Sequence, residues 1–142
     1  MNIYIASDHA GFELKTSIII FLKTKHKIID CGCYSLERAD YPDYAHKLAQ
    51  ELSKDPTAMG IVICGSGNGI NMTVNKYIGI RSALCWNIEI TKLARQHNNA
   101  NVMALPARYI QTDEALKMTQ VFLTEPFEGG RHQDRINKIN PT

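Results

Sequence analysis

Short apolar, β-branched runs alternate along this chain with longer stretches of helical spacing. The runs Ile3–Ala6, Lys27–Asp30, Ile61–Cys64, Arg81–Cys85 and Val102–Leu105 have the length and residue types of strands. Between them, Ala45, Leu48, Ala49 and Leu52 recur at i, i+3, i+4 and i+7. Ile90, Leu93, Ala94 and His97 do the same, so each set lines one face of a helix. Thr112-Asp113-Glu114 reads as a helix start, with Thr112 as N-cap and acidic side chains in the first turn. Five strands alternating with helices predict an α/β sandwich, a parallel sheet with helices on both faces. No linker, repeat or low-complexity stretch interrupts the pattern, so residues 1–142 are expected to form a single domain.

Such a sheet makes a positional prediction. Ligands of open parallel sheets bind beyond the carboxyl ends of the strands, near a reversal in strand order. Ser7-Asp8-His9-Ala10-Gly11 follows the first strand and Cys64-Gly65-Ser66-Gly67-Asn68-Gly69 follows the third. A site on that edge gathers Asp8, His9, Cys64 and Ser66.

Composition narrows the function classes. The chain is 44% hydrophobic and 21% charged, and its formal net charge is only +2. With no block of basic residues, nucleic acid is not an expected partner. The longest apolar run, Ile18 to Leu22, falls far short of the roughly 18 residues that span a bilayer. That run is apolar on more than one helix face, which fits deep burial or an interface. The start Met1-Asn2-Ile3-Tyr4 has no basic leader, and the four cysteines do not form a dense disulfide framework, so a cytoplasmic setting with reduced thiols is expected. Cys31-Gly32-Cys33 lacks a second half at metal-ligand spacing, so no metal site is expected.

The cysteine–glycine segment carries the most chemistry. A strand-end cysteine is often just a buried apolar side chain. Here it opens a loop with glycine at every second position, whose amides can approach an anion and favour a thiolate. No Lys-Ser or Lys-Thr follows Gly69, so this is not a nucleotide P-loop, and the third glycine is misplaced for a dinucleotide fingerprint. The loop amides instead suit an oxyanion that develops during reaction. His97 ends an apolar stripe just before Asn98-Asn99-Ala100-Asn101, and His9 directly follows Asp8. Arg131 and Arg135 stand four residues apart and share a helix face, with forks suited to phosphate. Arg108, just after the fifth strand, is expected to join them on the ligand edge.

Together these segments resemble the type B ribose-5-phosphate isomerases, a family with a Rossmann-like fold. The resemblance rests on Ser7-Asp8-His9-Ala10-Gly11-Phe12, Asp40-Tyr41-Pro42, Cys64 through Ile70, Asn75-Lys76, Gly79-Ile80-Arg81, Arg95-Gln96-His97-Asn98 and Gly130-Arg131-His132-Gln133, in order along nearly the whole chain. It implies interconversion of ribose 5-phosphate and ribulose 5-phosphate without metal or organic cofactor. Cys64 matches the base that moves a proton between C2 and C1 through an enediolate. Some members carry a glutamate after the last loop glycine, where this chain has Ile70. His97 matches the acid that opens the furanose ring, Asp8 assists at the ring oxygen, and Ser66 is counted with the catalytic group. Gly65, Ser66, Gly67, Asn68 and Gly69 match the enediolate cradle. His9, Arg108, Arg131 and Arg135 match phosphate contacts, and Asn98 a sugar contact. The resemblance also implies a homodimer whose subunits share active sites, with further pairing into a tetramer left open.

Two rivals stand beside this reading. A six-carbon sugar-phosphate isomerase, acting on allose 6-phosphate or galactose 6-phosphate, would share the cysteine–glycine loop. The galactose-6-phosphate isomerase subunits generally lack the matches to His97 and Gly-Arg-His that are present here. A non-catalytic sugar-phosphate or nucleotide-binding module would need the cradle but neither Cys64 nor His97.

Overall fold

The computed structural model describes residues 1–142. Five strands, β1 (Asn2–Ser7), β2 (Lys27–Asp30), β3 (Met59–Cys64), β4 (Ser82–Leu84) and β5 (Val102–Pro106), form one all-parallel sheet in the order β2-β1-β3-β5-β4. The helices are α1 (Phe12–Leu22), α2 (Tyr41–Leu52), α3 (Asn68–Val74), α4 (Ile88–Asn98), α5 (Thr112–Thr124) and α6 (Arg131–Ile136). Each expected strand is present, with bounds shifted by at most two residues. The expected cap is corrected. Gln111 holds the N-cap position of α5 without a side-chain hydrogen bond, and Thr112 is the first helical residue.

Alternation along the strands sorts the core into two layers. Ile3, Ile5, Ile61, Ile63, Met103 and Leu105 point to the face covered by α1, α4 and α5, where Ile18, Ala94, Met118 and Phe122 meet them. Ala6, Val62, Cys64, Val102 and Ala104 point the other way, against Leu48 and Ala49 of α2 and Ile70 and Val74 of α3. Of the apolar run in α1, Ile18 and Leu22 are buried, whereas Ile20 and Phe21 stay exposed. Lys15 lies on the buried stripe of the same helix and is only 1% exposed; its Nζ donates to Asp30 Oδ1 and to the Cys33 carbonyl, each at 2.5 Å.

The strand order reverses at β1. From β1 the chain crosses to β2 on one side, then returns past β1 to β3 on the other. The loops after β1 and β3 therefore part from each other and leave a cleft at the carboxyl edge.

Candidate active site

Cys64 is the last residue of β3, paired with Pro106 of β5, and is 4% exposed. The loop after it turns sharply. Gly67 takes φ 76° at the N-cap of α3, a conformation that L side chains rarely adopt. Ser66 Oγ accepts a hydrogen bond from the Asn68 N–H at 3.3 Å, leaving its own proton free to donate. The N–H groups of Gly65, Ser66 and Gly67 have no partner within the chain. They form an amide-lined concavity beside the thiol, of the kind that holds anions.

Neighbouring elements close over this loop. Ala107 N–H donates to the Cys64 carbonyl at 2.9 Å and Arg108 N–H to the Gly65 carbonyl at 3.1 Å. The Arg108 side chain then lies over Gly65, where a Cβ would stand 3.1 Å from its Nη1. The Tyr41 ring occupies the space that a side chain on Gly69 would need. Tyr41 is fixed at the start of α2, after Asp40 and ahead of Pro42.

From β1, Asp8 reaches the same cleft. Its Oδ1 accepts the Gly11 N–H at 3.1 Å, and the carboxylate is 6% exposed. His9 Nδ1 lies 3.2 Å from both the N–H and the carbonyl of Ala39, so Nε2 is left without a protein partner. Asp8, Tyr41, Cys64, Gly65, Ser66, Gly69, Arg108 and Tyr109 line a cleft of about 360 Å³. Asp8 and Tyr41 also border an adjoining hollow of about 440 Å³ that holds His9 and Arg38. The sequence assigns no site role to Arg38, Tyr41 or Tyr109. Only Tyr41 carried a signal, in the Asp-Tyr-Pro helix start.

Burial pushes the Cys85 thiol up to about 11. It does the same to Cys31, where Asp30 adds to the effect. Neither is a thiolate at neutral pH, and all four cysteines are free. No arginine is ion-paired to a carboxylate, which leaves the Arg108 guanidinium available to an anion.

The remaining candidates lie elsewhere in the chain. Helix α4 starts after the carboxyl end of β4 and runs back to the amino end of β5. Its 11 residues span about 16 Å. His97 and Asn98, at its last turn, are thus at the opposite sheet edge from Cys64. Helix α6 packs there too. The His132 ring stacks on His97 with centroids 4.3 Å apart and planes at 14°, and His132 Nε2 meets Glu128 Oε2 at 3.4 Å. Arg131 and Arg135, on α6, are exposed at this far edge. The expectation that Arg108 joins them is corrected for a single chain, because the His97–His132 stack ties α6 to the end of α4. The sequence-derived candidates divide into two groups. Asp8, His9, Cys64, Gly65, Ser66, Gly67, Asn68, Gly69 and Arg108 share the carboxyl edge, and His97, Asn98, Arg131 and Arg135 share the amino edge.

Known proteins share this sequence and fold. The chain is 47% identical over 139 residues to a probable ribose-5-phosphate isomerase B of Mycoplasma pneumoniae, covering 96% of this chain and 91% of that one. It is 44% identical to the ribose-5-phosphate isomerase B of Mycobacterium leprae, covering 96% and 86% of the two chains. Among solved structures, a ribose 5-phosphate isomerase of Thermotoga maritima superposes with a TM-score of 0.94 at 47% identity, covering 97% of this chain and 96% of that one. A ribose-5-phosphate isomerase B of Mycoplasma genitalium, solved with bound ribulose-5-phosphate, gives 0.93 at 45% identity, covering 97% and 93%. The family model described as Ribose/Galactose Isomerase matches residues 3–139, and the chain belongs to that family.

Proposed function

We propose that this chain is an aldose–ketose isomerase that interconverts D-ribose 5-phosphate and D-ribulose 5-phosphate through an enediolate. The names of the relatives support the substrate, as does the ribulose-5-phosphate in the Mycoplasma genitalium structure. The observation that carries the mechanism is the division of candidate residues between two sheet edges. The carboxyl edge holds the Cys64 thiol with His9 and Arg108, and the amino edge holds His97 and Asn98 with Arg131 and Arg135, so the proposed base and ring-opening acid never meet within one chain. A two-fold dimer that sets the carboxyl edge of one copy against the amino edge of the other completes two identical sites, as an isologous interface requires.

In this reading Cys64 takes the C2 proton of the open-chain aldose and returns it to C1, while the O2 hydroxyl proton passes to O1 and leaves the C2 carbonyl of the ketose. The Gly65–Gly67 amides and the Ser66 hydroxyl donate to the enediolate oxygens, where charge develops. A placed acid or base typically contributes roughly 10²–10⁴-fold. The partner copy's His97 and Asn98 reach the ring oxygen and the sugar hydroxyls, with Asp8 across from them. His9 and Arg108 from one copy, and Arg131 and Arg135 from the other, hold the phosphate. The phosphate does not react; its binding energy holds C1 and C2 against the thiol. The free thiols suit a reducing cytoplasm.

Complementation tests both reaction and assembly. Cys64→Ala and His97→Asn are each expected to be inactive on ribose 5-phosphate. After reassociation of equal amounts, half the dimers are mixed and each mixed dimer has one intact site, so about a quarter of wild-type turnover returns. No recovery would mean that both residues act from the same chain. A parallel assay on allose 6-phosphate and galactose 6-phosphate separates the six-carbon reading, and binding without turnover by wild type would leave only a binding module.

A further inference from the structure

We infer that Arg81 and Arg95 are positioning residues that lock the turn after α4 and so set how His97 and Asn98 are presented across the dimer. The inference rests on the proposed isomerase site and deepens it.

The end of a helix leaves carbonyls without intrahelical partners. At the end of α4 two guanidinium groups take up this role. Arg81 Nε donates to the Asn98 carbonyl at 3.1 Å and to the Asn99 carbonyl at 3.2 Å, and its Nη2 donates to the Asn99 carbonyl at 2.9 Å. Arg95 Nη1 donates to Asn99 Oδ1 at 2.9 Å and to the Ala100 carbonyl at 2.6 Å. Asn99 itself is left-handed, at φ 45°. The Arg81 backbone is held in turn: its N–H donates to Asn101 Oδ1 at 2.8 Å and its carbonyl accepts the Asn101 N–H at 3.0 Å. Hydrogen bonds thus tie the residue before β4 to the turn after α4.

The arrangement has a cost that a plain helix stop does not need. Glycine alone ends many helices by satisfying such carbonyls with backbone amides. Here a buried cation, Arg95, and a half-buried one, Arg81, lie close together with no carboxylate on either. Burial lowers the affinity of both for their protons, and the charge of Arg81 lowers that of Arg95 further. The carbonyl of Asn98, a proposed sugar contact, is gripped directly, and His97 is the residue before it. A group that must reach into a neighbouring subunit has no support from that subunit's fold before assembly. Its own chain must fix it, and the Arg81–Arg95 clamp does so.

The clamp predicts which complementation group Arg81 belongs to. Arg81→Met should lower ribose 5-phosphate turnover about 10- to 100-fold, the scale of a misplacement near 1 Å. Reassociated with Cys64→Ala, it should regain about a quarter of wild-type turnover, because the working site pairs its own intact Cys64 with a His97 held by a native Arg81. Reassociated with His97→Asn, it should regain nothing above its own level. The same pair of mixtures is run with Arg81→Lys, which keeps the charge but not the fork, and that variant carries the test if Arg81→Met does not assemble. Recovery with His97→Asn, failure with Cys64→Ala, or near-wild-type turnover of both Arg81 variants alone would overturn the inference. If instead Cys64→Ala and His97→Asn fail to complement each other, the shared-site reading falls first, independently of Arg81.

Discussion

Replacing Gly67 by alanine isolates what the tight turn after Cys64 requires. Two costs are visible. The residue sits at φ 76°, and an L side chain in the left-handed region loses about 1–2 kcal/mol. The added Cβ would also lie 2.5 Å from Leu84 Cδ1, and 3.1 and 3.2 Å from the Leu105 carbonyl carbon and oxygen. Leu84 can swing aside, but Leu105 is backbone in the middle of the sheet, so crowding adds about 1–3 kcal/mol. Gly129→Ala is the matched control, at φ 69° with no atom within 4 Å of the new Cβ. It carries the conformational cost and the same change in unfolded-chain entropy, without the clash. Gly67→Ala should therefore be less stable than Gly129→Ala by about 1–3 kcal/mol, or about 2–12 °C in midpoint for a chain of this size. Thermal melts at one protein concentration read the difference, since assembly would shift both midpoints. Equal stability of the two variants would refute the claim that the turn is packed against β5.

Other outcomes test the chemistry and the core. His97→Asn should lose turnover of ribose 5-phosphate while still exchanging the C1 hydrogen of ribulose 5-phosphate with deuterated water, because that exchange needs Cys64 but no ring opening; equal loss of both by NMR would remove His97 from the ring step. The Cys31 and Cys85 thiols, raised to about 11 in the fold from 9.0, add stability that is fully present below about pH 9 and lost as pH rises through about 11. Urea midpoints between pH 9 and 11 should fall more steeply for wild type than for a Cys31→Ala, Cys85→Ala double variant. Lys15→Met strands Asp30, which is 34% exposed and regains some water, so the loss should be about 2 kcal/mol, below the full cost of breaking a buried pair. Adding Asp30→Asn should recover part of it in the same urea titration.

Much of the scaffold was legible because the central strands are short apolar runs and helices such as α2 and α4 carry one apolar face. Ile61–Cys64 and Val102–Leu105 could hardly be read otherwise. The carboxyl-edge group was legible for the same reason, since Asp8 and Cys64 each end a strand of one parallel sheet. The division of the site was not drawn from the pattern, although the topology contains it: a helix that follows a strand runs back, so its last turn lies at the amino edge. Arg131 and Arg135 were read as phosphate contacts from their spacing, their chemistry and the resemblance, but their location depends on the His97–His132 stack, which joins segments far apart in sequence. Lys15 shows a missed signal. It precedes Ile18 by three residues and Leu22 by seven, squarely on the buried stripe, yet its partner Asp30 is supplied by another element.

The separation of Cys64 and His97 to opposite ends of one chain has a kinetic meaning. On the proposed reading a newly made chain is folded but inert, and turnover becomes a count of encounters between chains. At dilutions below the dimer's dissociation constant, rate should rise with the square of protein concentration, and only above it in simple proportion. The chemistry then switches on with assembly, without any moving lid or bound regulator.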